Sequence, residues 1–101
     1  MYESSEEIIG LIEEISSSVS GSRIFWKLFK NGEMSLSEII RQTNLNHKIV
    51  RRNIEIMVEK GLIREKIFGR LKIYVLNQEN KRVRMLLNLI KQASYEPPPQ
   101  G

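Results

Sequence analysis

The feature that most restricts how this chain can fold is a three-residue turn, Asn44-Leu45-Asn46, set between two amphipathic helical stretches. Asparagine tolerates the left-handed backbone such a turn needs, and the side chain of Asn46 can cap whatever helix follows. Upstream, Ser37 reads as the N-cap of a brief helix from Glu38 to about Thr43. Downstream, a helix runs from His47 to Lys60 with Val50, Ile54, Met57 and Val58 turned to the core, and Gly61 stands where a left-handed C-cap belongs. Two β-rich stretches follow, Leu62 to Ile67 and Leu71 to Leu76, around Phe68-Gly69-Arg70, the composition of a hairpin. A three-residue loop there would put Ile63, Ile67, Leu71, Ile73 and Val75 on one face.

The flanks are helical. Ser4 or Ser5 can cap a first helix, with Ile8, Ile12, Ile15 and Val19 on one stripe and Ile9 and Leu11 widening it; Ser16-Ser17-Ser18 and Ser20-Gly21-Ser22 end it. A second helix covers about Arg23 to Lys30, with Ile24, Phe25, Trp26, Leu28 and Phe29 as core, and Asn31-Gly32 closes it. Met34-Ser35-Leu36 is a short extended piece. A last helix spans roughly Glu79 to Tyr95, and Pro97-Pro98-Pro99 cannot continue it. At 101 residues the chain holds one core. The expected class is α+β, mostly α: a helix-turn-helix with a β-hairpin wing, flanked by an N-terminal and a C-terminal helix. The expected layout is a single domain over 1–95 (N-terminal helix 1–20, core 23–76, C-terminal helix 79–95) and a disordered tail over 96–101.

Composition removes most catalytic chemistry. The chain has no cysteine and no aspartate, a single histidine (His47), and 12 acids that are all glutamate. Disulfides, thiolate sites and cysteine nucleophiles are excluded, and a metal centre built on one histidine is improbable. No cofactor and no catalytic residue is expected. The apolar runs are too short for a membrane span, and an acidic start is unlike a signal peptide, so the expected location is cytoplasmic.

Charge is placed unevenly. Residues 1–22 carry five glutamates and no Lys or Arg, a charge of −5, whereas residues 23–101 carry all 16 bases against seven glutamates, +9. A basic body points to a polyanionic partner, most simply nucleic acid. On the His47–Lys60 helix, His47, Lys48, Ile49, Arg51, Arg52 and Glu55 fall on or beside the outer face. The amino end of such a helix reaches base edges in a major groove. The candidate DNA-binding residues are therefore Asn46, His47, Lys48, Ile49, Arg51 and Arg52, with Arg64, Lys66, Arg70 and Lys72 of the hairpin on the backbone or in the minor groove.

These segments resemble a known family. Glu38-Ile39-Ile40-Arg41-Gln42-Thr43-Asn44-Leu45-Asn46 is similar to the first helix and turn of winged-helix transcription regulators of the MarR/ArsR type, with Asn44 where that pattern usually has glycine and Ile40 where it has alanine. The likeness continues through Val50, Ile54 and Met57 into Glu59-Lys60-Gly61-Leu62-Ile63 and ends with Gly69-Arg70 and Tyr74-Val75-Leu76. It covers residues 36 to 76, about two-fifths of the chain, and implies that Tyr74 and Leu76 turn inward. Abundant Ile, Lys, Asn and Glu fit an AT-rich genome, such as an archaeal or viral one.

The terminal helices carry more apolar surface than one neighbour covers. That favours a homodimer in which Ile8, Ile12, Ile15, Val83, Leu86, Leu87 and Ile90 form the interface. The expected function is double-stranded DNA binding by a homodimeric transcription regulator. A protein-interaction module of a larger assembly and a nonspecific architectural DNA-binding protein are the alternatives. Any small-molecule effector is left open.

Overall fold

The computed structural model of the protein describes residues 2–94. Its elements are α1 (Tyr2–Ser16), α2 (Val19–Asn31), β1 (Met34–Ser35), α3 (Leu36–Thr43), α4 (His47–Glu59), β2 (Ile63–Phe68), β3 (Leu71–Leu76) and α5 (Lys81–Ala93). The strands form one antiparallel sheet in the order β1-β3-β2. The tail expected at 96–101 lies outside the described residues.

One core joins all of these elements. Phe25 is fully buried in it, as are Leu11, Ile24, Leu28, Ile39, Val50, Leu62 and Val83, all sealed from solvent. Trp26 and Phe29 are only partly covered and rim this core, stacked edge to face with ring centroids 5.7 Å apart. The expected turn chemistry is present. Asn44 adopts the left-handed conformation (φ 57°) and its N–H donates to the Ile40 carbonyl. Asn46 caps α4, its side-chain oxygen accepting from the Lys48 N–H at 2.8 Å. Gly61 closes α4 with φ 76°.

Three boundaries differ from the sequence expectation, each for a physical reason. Ser20-Gly21-Ser22 does not break a helix but lies inside α2, because Ser18 supplies the cap, accepting from the Gly21 N–H at 3.1 Å. Gly21 is buried where α2 meets α4: a Cβ there would come within 3.2 Å of the Asn53 Oδ1. Ser35, not Ser37, caps α3. Its hydroxyl accepts from the Glu38 N–H while the Glu38 carboxylate accepts from the Ser35 N–H, a reciprocal capping box. The hairpin loop has two residues, since Phe68 pairs directly with Leu71. Gly69 supplies positive φ at the first central position, as a tight hairpin turn of this kind requires. This shorter loop reverses the register relative to a three-residue one: Tyr74 and Leu76 join Ile63 on the inward face, as the family resemblance implied, and Leu71 faces solvent, while Ile67 shares the inward face but lies beyond the core and is exposed. Val58, expected in the core, is exposed.

The hydrogen bonds from Ser35 draw the Glu38 carboxyl below its usual range. Its contribution is present above the ordinary carboxylate range and fades as pH falls through the lowered value. Replacing Ser35 by alanine is expected to remove about 1 kcal/mol of stability and lower Tm by about 4–8 °C. Ser37→Ala should leave the melting curve nearly unchanged. Thermal denaturation of the two variants side by side checks which serine is the cap.

Candidate nucleic-acid interface

The inner face of α4, Val50, Ile54 and Met57, is buried, which turns His47, Lys48, Ile49, Arg51 and Arg52 outward as exposed side chains beside the exposed cap Asn46. The helix is keyed in rotation by Asn53. Its amide donates to the Ile49 carbonyl at 2.8 Å, and its oxygen accepts from the Ser18 hydroxyl of the α2 cap. Ile49 is 44% exposed, so it belongs to the outer face rather than the core. Among the described residues, no carboxylate forms an ion pair with Lys48, Arg51 or Arg52.

The wing does not present its four bases together. Alternation along the strands puts Ile63, Glu65, Ile67, Lys72, Tyr74 and Leu76 on one face and Arg64, Lys66, Phe68, Leu71, Ile73 and Val75 on the other. The first face looks toward α4, and a cleft of about 620 Å³ between them is lined by Arg51, Glu55, Glu59, Glu65, Lys72 and Tyr74. Arg64 and Lys66 sit on the far face, where Glu79 and Glu33 pair with them at 3.2 and 2.7 Å. There they border a different hollow, of about 510 Å³, floored by Leu28, Phe29 and Leu87. Arg70 occupies the turn. With Lys72 it comes against the amino end of α3, at Ser35 and Ser37, around a cleft of about 300 Å³. The structure thus gathers His47, Lys48, Ile49, Arg51 and Arg52 on α4 behind the cap Asn46, sets Lys72 across a cleft from Arg51, places Arg70 at the wing turn beside the start of α3, and separates Arg64 and Lys66. Residue spacing in a hairpin of unknown loop length carried no signal for that division. Nor did it show Glu33 and Glu79, which come from other segments.

Tyr74 anchors the wing to this side. It is 5% exposed and its hydroxyl donates to the Glu65 carboxylate at 3.1 Å. Burial first, then that hydrogen bond and the Glu65 charge, push its phenol up to about 12.

The terminal helices meet each other through two ion pairs, Arg82 with Glu14 and Lys81 with Glu7. Of the residues expected at a dimer interface, Ile15, Val83, Leu86 and Leu87 are instead buried inside the single chain, because α1 and α5 close the core over α2. Ile8 and Ile90 are partly covered and Ile12 is exposed. The apolar side chains these helices leave open are Ile9, Ile12 and Leu89.

Among the described residues no cluster of His, Cys, Asp or Glu is arranged to hold a metal ion, and no helix is long and apolar enough to cross a membrane. No family model and no curated protein matches the sequence. Solved structures do match. The transcriptional repressor BigR from Xylella fastidiosa superposes with a TM-score of 0.68 at 18% identity, over 96% of this chain and 95% of that one. HlyU from Vibrio cholerae gives 0.66 at 17%, over 93% and 98%. A homodimeric winged helix-turn-helix DNA-binding domain from Mycobacterium bovis, described as a possible ArsR-family regulator, gives 0.64 at 16%, over 92% and 80%. The chain has the winged-helix fold of transcription regulators.

The raised phenol has a testable sign. A folded-state value above the unfolded one contributes stability that is complete below the ordinary value of 10 and is lost as pH rises toward about 12. Chemical denaturation across that window should show wild type losing stability with rising pH, and Tyr74→Phe should lack that limb.

Proposed function

We propose that the protein is a double-stranded DNA-binding transcription regulator that acts as a homodimer. The observation that carries this reading is the outer face of α4: Lys48, Arg51 and Arg52 are exposed, free of carboxylate ion pairs among the described residues, and held on a helix whose other face is locked in the core. An α-helix fits the major groove, and long basic side chains near its amino end reach guanine edges or phosphates. Lys72, on the wing face toward α4, and Arg70, at the wing turn, would follow the backbone or the minor groove. Arg64 and Lys66, paired with acids on the other face, contribute little. The Mycobacterium bovis domain is described as both homodimeric and DNA-binding, and BigR as a repressor, which supports the same reading for this chain. The second copy would cover Ile9, Ile12 and Leu89, and two-fold symmetry would present two α4 helices to successive major grooves.

Fluorescence anisotropy with a mixed-sequence duplex over a range of salt concentrations tests the DNA reading. Wild-type binding should weaken steeply with salt. Arg51→Ala/Arg52→Ala should weaken it by about tenfold or more, and should flatten the logarithmic salt slope by up to about 2 where both residues contact phosphate. Arg64→Ala/Lys66→Ala should change either quantity far less. Failure of the wild type to bind at low salt would overturn the reading. For assembly, Ile12→Glu/Leu89→Glu should halve the mass seen by light scattering while leaving the fold intact by circular dichroism; an unchanged mass would place the second copy elsewhere.

A further inference from the structure

The wing ends in three large apolar side chains that touch no core. Ile67 is 64% exposed, Phe68 59% and Leu71 52%, although the strands that carry them are well paired. Only the base of the hairpin, at Ile63, Tyr74 and Leu76, is buried; every residue from Ile67 to Lys72 is exposed. Phe68 and Leu71 are cross-strand partners on one face, Ile67 stands on the other, and the turn between them is Gly69-Arg70. The tip is therefore a narrow apolar blade with a guanidinium at its end and the Lys72 ammonium just behind. Solubility alone would favour polar side chains here, the more so because β2 is an edge strand.

We infer that this blade is a wedge for the DNA minor groove, with Phe68 and Leu71 entering a base step and partly unstacking it while Arg70 and Lys72 hold the flanking phosphates. The inference rests on the DNA-binding reading above and adds to it a deformation of the duplex. Charge selects this occupant: the apolar cluster is bracketed by two bases, Arg70 in the turn and Lys72 behind it, rather than by acids. Apolar wedges in a minor groove kink DNA toward the major groove by roughly 20–90°. Pyrimidine–purine steps yield most easily, so the wing would prefer a TA or CA step without any hydrogen bond to a base.

The test uses the full chain and a mixed-sequence duplex of roughly 30 base pairs, the scale over which such bends are read, with a donor and an acceptor dye at its ends. Energy transfer reports bending and anisotropy reports binding. Wild type should shorten the end-to-end distance on binding. Phe68→Ser/Leu71→Ser should still bind, weakened by roughly tenfold or less, but without the bend. Arg70→Ala should weaken binding and lower its salt dependence while the bend persists at saturation. Both replaced side chains are more than half exposed, so the melting temperature should hold, and a melt confirms that the variant is folded. An equal bend by wild type and the serine variant would overturn the wedge and leave DNA binding standing. A fall in the mass of the free protein on Phe68→Ser/Leu71→Ser would also overturn it, showing the tip to be a contact between copies. No binding by the wild type would remove the DNA reading itself.

Discussion

Burial of one face of α4 is the constraint on which the rest of the molecule depends. Val50, Ile54 and Met57 are each worth about 2 kcal/mol when taken out of water, and their spacing fixes which side of the helix remains outside. Gly21 lets α2 come close enough for the α2 cap Ser18 to reach Asn53, so that the seat is set by shape and by a hydrogen bond. Asn77 and Asn80 both donate to the Gly61 carbonyl at the end of α4, at 2.9 and 3.0 Å. One acceptor thus ties the end of α4, the end of the hairpin and the start of α5 together. A shift of α4 would have to break this joint as well as the core.

The hairpin shows how much depends on a single residue of loop. With a period of two, one added residue exchanges the faces of a whole strand. The two-residue turn sends Tyr74 and Leu76 inward and leaves Leu71 in solvent; Ile67 shares the inward face but lies beyond the core. The same choice sorts the bases. Lys72 falls on the side of α4, whereas Arg64 and Lys66 fall on the side where Glu79 and Glu33 neutralise them. Surface pairs of this kind contribute little stability, yet they decide which cations are free for a polyanion.

Much of this was legible in the sequence where chemistry is local. Asn44, Asn46 and Gly61 announced the turn, the cap and the helix end, and the helical spacing of Val50, Ile54 and Met57 gave the buried face. Of what was missed, one part was local and the rest was set by partners distant in the chain. Ser35 outcompetes Ser37 because it has Glu38 for a reciprocal cap, a pattern visible in sequence once the helix is allowed to start at Leu36. Gly21 looked like a breaker because its reason, Asn53, lies 32 positions away. Ile15, Val83, Leu86 and Leu87 carry the same apolar stripe whether they meet a second copy or their own core. Periodicity is blind to that difference; packing is not.

Charge along α4 adds a direction to the surface. Its first half presents His47, Lys48, Arg51 and Arg52, and its second half presents Glu55 and Glu59. The amino end of a helix also carries the positive end of the backbone dipole, so side chains and backbone act with the same sign there. Glu55, Glu59 and Glu65 line the cleft between α4 and the wing, where Arg51 and Lys72 are the counter-charges. The beginning of α4 and the wing tip are accordingly the basic points of this side, and the acids gather in the cleft between them. This two-point pattern shows how a chain with a modest formal charge of +4 can hold two basic points on one side: its acids are not absent but set back between them.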